Sequence, residues 1–318
     1  MTSPFGPLVL IVNPRAGRGQ VNAALPQVER VLRDEGLDYR IVRTTHPGHA
    51  TEAAHHALRH GERYLVAVGG DGTVHEVVNG MIQNGTPIAP DAVLAVVAAG
   101  SGCDFVRTFG LPGDAGPAAG RLAGDRVRAI DVGTVTCTYG DATPDTPDTP
   151  DTPDTRTRYF VNIAEAGLGG AVVARTARLG RFLGGARYAC GFALTLPGFR
   201  PAPVRLDADG HVFGWRAFNV VVANGRFYGA GMQISPKSDP GDCLLDVLVM
   251  TGPKSGAFTT LPKVYRGTHL PHRNIAELRA GRIHLDAGRP FPVEADGEVL
   301  GTTPVSFGII PGVIRLKV

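Results

Sequence analysis

Through the first third of the chain, short unbroken apolar runs alternate with stretches of helical spacing. Leu8–Val12 is such a run, stopped by Asn13-Pro14, a pair that disfavours helix, and it reads as a buried strand. Tyr39–Arg43, Tyr64–Val68 and Val93–Ala98 read as three more strands. Between them, Ala50, Ala53, Ala54, Ala57 and Leu58 recur at helical intervals and give one face of small residues. Val74, Val77, Val78, Met81 and Ile82 repeat that spacing. Strands alternating with helices of this length predict a parallel sheet flanked by helices, a doubly wound α/β domain over residues 1–130.

The texture changes after Asp131. Strand signals at Val127–Thr136 and Tyr159–Ala164 flank four tandem Thr-Pro-Asp units, Thr143 to Asp154. A proline in every third position forbids helix or sheet ladder, so residues 141–157 are expected to form a disordered, solvated hairpin loop. Beyond it come glycine-punctuated β runs: Val204–Ala208, Ala217–Ala223, Leu244–Met250, Arg282–Leu285 and Val313–Val318. Helical signals interrupt them near Ala171–Leu179 and Ser255–Tyr265. A second, β-rich domain over residues 131–304 is expected.

Composition narrows the function classes. The chain has 318 residues, enough for two domains, and Lys+Arg of 32 against Asp+Glu of 29 leaves a charge of +3. That balance argues against a nucleic-acid partner. No run is long and apolar enough to span a bilayer, and the first residues lack a basic and apolar leader. The four cysteines, Cys103, Cys137, Cys190 and Cys243, are too far apart for a zinc site and suggest no disulfide scaffold. A cytoplasmic protein is expected. His56 and His60 lie four apart, as zinc ligands can, but a surface helix with alanines on its buried face explains them better.

Gly69-Gly70-Asp71-Gly72-Thr73 follows an apolar strand and opens an amphipathic helix. A helix N-terminus offers unpaired N–H groups and partial positive charge, and glycines let phosphate oxygens approach the main chain. Thr73 can cap the helix. Asp71 would repel phosphates unless a divalent cation stood between, so it points to Mg²⁺ or to proton handling. Asn13-Pro14-Arg15-Ala16-Gly17 and Gly100-Ser101-Gly102-Cys103 follow other strands. In an open parallel sheet ligands sit beyond the carboxyl ends of the strands, so the three turns should converge on one crevice. Neither a Walker P-loop nor a first-strand Gly-x-Gly-x-x-Gly is present.

Together with Asn162–Gly169, Asn224–Met232, Asp242–Val247 and Asp296-Gly297-Glu298, these segments resemble the diacylglycerol kinase catalytic family, most closely its bacterial soluble lipid kinases. The resemblance implies an α/β domain of NAD kinase and diacylglycerol kinase type, a β-sandwich domain, and a last strand, Val305–Val318, returning to the first. It implies transfer of the γ-phosphate of ATP to a lipid hydroxyl, most readily diacylglycerol, at the inner face of the membrane. Nucleotide contacts then fall on Asn13, Pro14, Arg15, Ala16, Gly17, Thr44, Gly69, Gly70, Asp71, Gly72, Thr73, Val74, His75 and Ser101. The family's Mg²⁺ maps to Asp242, with Asp239 and Leu244. Catalytic candidates are Glu298, Asp296 and Asp71, a carboxylate being needed to take the alcohol's proton.

The chain departs from the family pattern at three points. Ser101 and Cys103 replace a threonine and an asparagine, Cys243 replaces a turn glycine, and His75 stands where asparagine is frequent. Arg175, Arg178, Arg181 and Arg187, interleaved with Leu179, Phe182, Leu183 and Tyr188, read either as a surface for anionic lipid or as a solvated face. Two other functions stay open: a kinase of a soluble substrate such as NAD or a sugar phosphate, and a non-catalytic lipid or nucleotide sensor. Pairing of β edges into a homodimer also stays open.

Overall fold

The structure, a computed structural model, describes residues 3–98, 103–138, 155–179, 186–253 and 256–318. Its first half alternates β1 (Leu8–Val12), α1 (Gln20–Asp34), β2 (Tyr39–Arg43), α2 (His49–Arg59), β3 (Tyr64–Gly69) and α3 (Asp71–Met81). A two-residue pair, β4 (Ile82–Gln83) and β5 (Thr86–Pro87), leads into β6 (Val93–Ala98), α4 (Asp104–Thr108) and α5 (Ala115–Gly120). The strands run parallel in the order β2-β1-β3-β6. The apolar runs of β1, β3 and β6 are unbroken because both faces are covered, while β2, at the sheet edge, carries Arg40 and Arg43. Leu8, Leu10 and Val12 pack on α1 and α5, while Val9 and Ile11 face α2 and α3. The small-residue face of α2 serves close helix packing: a β-carbon on Gly80 of α3 would meet the Thr51 carbonyl of α2 at 2.3 Å.

The second half opens with β7 (Val127–Thr138), β8 (Thr155–Phe160) and β9 (Ile163–Gly167), then α6 (Leu168–Ala177) and α7 (Ala186–Thr195). The antiparallel strands β10 (Ala202–Ala208), β11 (His211–Ala217), β12 (Asn219–Ala223) and β13 (Leu245–Met250) follow. After α8 (Gly256–Tyr265) come β14 (Ile275–Ala280), β15 (Arg282–Ala287), β16 (Pro292–Ala295) and the twenty-residue β17 (Glu298–Lys317). One apolar core, including Leu206, Phe218, Leu245, Leu285 and Phe291, fills the space between the sandwich layers. β17 links the halves: it pairs with β16 and β15 near its start and lies parallel to β6 at Arg315 and Leu316. An α/β half followed by a β-rich half is the architecture the hydrophobic pattern anticipates, and a sandwich is what the resemblance implied for the second.

Three local expectations are corrected. Thr155–Thr157, expected in the disordered loop, lie in β8, where they pair with Thr136–Thr138 of β7. The repeat itself lies outside the described residues. The strand expected over Tyr159–Ala164 breaks at Val161-Asn162, and the one over Ala217–Ala223 breaks at Phe218. Among the described residues no helix is long and apolar enough to cross a membrane, and no three His, Cys, Asp or Glu side chains gather as a metal site. His56 and His60 stack on one another at 3.9 Å instead.

Candidate active site

The turns after β1 and β3 lie side by side because their strands do. Asn13 is fixed from both directions: its amide donates to the Val68 carbonyl, and its side-chain Oδ1 accepts the Arg15 amide at 3.1 Å. Thr44, at the end of β2, donates its amide to Val12. Asn13, Arg15, Thr44 and Thr73 thereby come to line one cavity of about 580 Å³, together with His46 and Glu76. Pro14, Ala16 and Gly17 sit in the same turn, which Gly17 makes possible with a φ of +57°. Ser101 lies outside the described residues.

At the start of α3, Thr73 and Val74 donate their amides to the Gly70 carbonyl, so the amides of Asp71 and Gly72 stand ahead of the first helical bonds. Beside Gly70 and Gly72 a β-carbon would meet only open space. Gly69 is different. A β-carbon there would lie 2.3 Å from the Thr73 hydroxyl, which is itself buried without a partner. Gly69→Ala should therefore displace Thr73 and weaken ATP binding by about tenfold, the worth of one hydrogen bond, with the fold retained. Calorimetric titration with ATP checks this, and unchanged affinity would count against a phosphate site at this turn.

Asp71 turns toward α4. Its carboxylate accepts the amides of Asp104 and Phe105, both at 2.9 Å, and lies 3.5 Å from the Cys103 thiol. Burial nevertheless pushes its pKa up to about 6, against the pull of those amides. Asp71, Asp104, Asn162, Tyr228, Glu294 and Asp296 line a second cavity of about 740 Å³.

Asp296 and Glu298 flank the hairpin turn between β16 and β17, with Asp296 at φ +48° and Gly297 at φ +87°. The fully buried Asp296 carboxylate accepts the amides of Val161, Asn162 and Ile163 at 2.8, 3.0 and 3.1 Å. That is why the strand breaks there: these amides point at a side chain from the far end of the chain instead of at a ladder. Asp296 and Glu298 then meet opposite nitrogens of the His75 ring, each at 3.1 Å. Burial would lower the His75 pKa, but the two carboxylates together outweigh it and hold it at about 9. His75 is an imidazolium at neutral pH, and its hydrogen bond in turn pulls Glu298 below the ordinary carboxylate range. The sequence marks His75 as a nucleotide contact; the fold buries it between two acids. Asn79 locks this arrangement, donating to the carbonyls of His75 and Tyr159 at 2.9 Å.

Asp239, Asp242 and Leu244 lie elsewhere. Arg128 pairs with Asp239, Arg279 pairs with Asp242, and the Leu244 amide donates to Asp242. Arginines thus meet the charge that a metal ion would otherwise balance. Cys243 takes the left-handed conformation of the turn glycine it replaces, at φ +64°, and its amide is held by Asp131. Asp242 lines a different cavity from Asp71 and Asp296.

Sequence reasoning missed a third cavity, of about 830 Å³, between α6, α7, α8 and the sheet. Leu168, Val172, Phe192, Met232 and Val264 line it, and Tyr188 and Tyr228 belong to both this cavity and that of Asp71. The helical signals of α6 and α8 were legible; α7, and the void that the three helices cover, were not.

Comparison with known proteins accords with this geometry. Residues 7–135 match the diacylglycerol kinase catalytic domain, and residues 162–318 match the YegS C-terminal NAD kinase beta sandwich-like domain. The diacylglycerol kinase of Bacillus subtilis (strain 168) is 28% identical over 304 residues, covering 94% of this chain and 91% of its own. A protein named "Probable lipid kinase YegS-like" from Klebsiella pneumoniae (strain 342) is 26% identical, covering 99% and 97%. The crystal structure of a diacylglycerol kinase from Bacillus anthracis str. Sterne shares the fold, with a TM-score of 0.71 at 23% identity over 99% of this chain and 97% of that one. The chain belongs to the diacylglycerol kinase-type lipid kinase family. It is an ATP-dependent lipid kinase.

Proposed function

We propose that this kinase phosphorylates the free hydroxyl of a diacylglycerol to give phosphatidic acid. The observation that carries the reading is the junction at Tyr188 and Tyr228, where an apolar cavity meets an acidic one beside the first turn of α3. An acyl chain fits the first, and a glycerol hydroxyl presented to phosphate fits the second. Residues 1–130 with 305–318 form the nucleotide half in this reading, and residues 131–304 the acceptor half.

The nucleotide's phosphates fit the open amides of Asp71 and Gly72, with Asn13, Arg15 and Thr44 beside them. A magnesium ion carried on those phosphates would have the Thr73 hydroxyl, buried and in want of a partner, to hold it, which leaves Asp71 for the proton. When bound it supplies charge neutralisation. The acceptor oxygen attacks the γ-phosphorus, the bond to the bridging oxygen breaks, and ADP leaves. The alcohol's proton goes to Asp71, whose pKa of about 6 suits a base working near neutrality. Asp296 is less suited, since its wholly buried carboxylate is held by three amides and by the His75 ion pair, whereas Asp71 meets only neutral donors: two amides, the Cys103 thiol and Asn162 Nδ2. Glu298, held low by His75, is a weaker base still.

Peripheral contact with the inner face of the membrane accounts for lipid access. Leu194 on α7 and Tyr265 on α8, the helices that cover the apolar cavity, are more than half exposed, and Arg175 on α6 and Arg178 just after it are exposed. The test is a panel of vesicle-borne lipids and soluble acceptors with labelled ATP and magnesium. Labelled phosphatidic acid is expected; label on NAD or a sugar phosphate alone would replace this reading with a soluble-substrate one.

A further inference from the structure

Glu165 and Glu294 are buried carboxyls at directly opposed positions of the β9–β16 ladder. Among the described residues lining the two joined cavities there is no lysine or arginine to balance them. The Glu294 carboxyl accepts the Gly297 amide at 2.8 Å. Glu165 is satisfied on one side only. The orientation of Asn219 is set by the Gly169 amide, which donates to its Oδ1 at 3.0 Å, so its Nδ2 donates to Glu165 Oε1 at 2.9 Å. Glu165 Oε2 is buried with no partner. It lies against Gly169, where a β-carbon would meet it at 1.7 Å, and both residues line the apolar cavity.

Since Oε1 is an acceptor, any proton on this carboxyl sits on Oε2. Burial raises the Glu165 pKa to about 7 and lifts Glu294 well above its ordinary value, which favours neutral carboxyls. A protonated Oε2 needs an acceptor, and among the described residues none lies within hydrogen-bond reach of it. Resting on the acceptor reading above, we propose that Glu165 is a specificity-determining residue whose Oε2–H donates to an ester carbonyl of the bound glycerolipid. The apolar wall holds the chain, and this one donor sets the depth at which the ester lies, hence whether the free hydroxyl reaches Asp71. An ether-linked glycerolipid has the same hydroxyl and chains but no carbonyl to offer.

The test uses the full-length enzyme with phosphatidylcholine vesicles carrying either dioleoylglycerol or its dialkyl ether analogue. The wild type should favour the ester by about tenfold in kcat/KM, mostly through KM. Glu165→Gln keeps a donor without a charge and should keep that preference. Glu165→Leu should erase it, by lowering kcat/KM for the ester about tenfold more than for the ether. Equal use of both lipids by the wild type, equal losses in Glu165→Leu, or loss of preference in Glu165→Gln would each overturn the proposal. Should Glu165→Leu not fold, the wild-type ratio and Glu165→Gln still decide. A wild type that labels neither glycerolipid but does label another lipid removes the diacylglycerol reading; an ester-to-ether ratio of one removes only the role of Glu165.

Discussion

Asp71→Asn should lower kcat by about 10²–10⁴, the usual worth of a general base, while leaving the protein folded. The stability effect separates a lost base from a lost structural contact. In the wild type the Asp71 pKa rises on folding, from 3.8 to about 6, with burial the main cause. For a carboxyl this means the charged form is the costlier one in the folded state. The cost is absent below pH 4, grows between pH 4 and 6, and is complete above 6. Asparagine never carries it. The variant's stability relative to wild type should therefore improve by roughly 3 kcal/mol between pH 4 and 7. Against this, its amide nitrogen faces one of the α4 amides that the carboxylate accepts, a loss of about 1–3 kcal/mol. At pH 7 the two nearly cancel. Urea unfolding across that pH range checks the slope, and a pH-independent difference would mean that Asp71 is not buried as a strained charge. In the wild type, kcat/KM should also fall as pH drops through 6.

Much of this was legible in the chain, and the boundary between what was and was not follows sequence separation. β1, β3 and β6 announce themselves because a strand covered on both faces needs apolar residues throughout, a requirement read within five or six positions. The glycine turns after β1 and β3 are equally local. Their adjacency follows from the parallel order of the strands, which alternation with helices already implied. What could not be read is contact between distant segments. The break in the strand at Asn162 depends on Asp296, 134 residues away. Glu165 and Glu294 look like ordinary strand residues until the ladder sets them face to face. An acid inside an apolar run was the one available signal, and Glu165 within Asn162–Gly169 carried it. The arginines that meet Asp239 and Asp242 come from Arg128 and Arg279, neither near those acids in sequence.

His75 is the clearest case, bridging to Asp296 across 221 positions, and it carries the second large effect. His75→Leu should cost roughly 3–5 kcal/mol, as for breaking a buried ion pair and leaving one partner behind. The partner left behind is Asp296, whose side chain is wholly shielded from solvent, so no water can replace the imidazolium. The sign of the pH dependence follows from the shift. Folding raises the His75 pKa from 6.5 to about 9, so its contribution is complete below pH 6.5 and is lost as pH rises through 9. Its size is roughly 3 kcal/mol, of the same order as the loss expected from substitution. The wild type should thus lose stability between pH 6.5 and 9, and His75→Leu should lack that slope. His75→Asn, which restores a neutral donor to the turn, should recover part of the stability but not the slope. Thermal unfolding of the three proteins at pH 6, 7.5 and 9 measures both. Were His75→Leu as stable as wild type at pH 6, the imidazolium would not be what ties α3 to the β16–β17 turn. The acidic turn would then have to reach the phosphate site by some other contact.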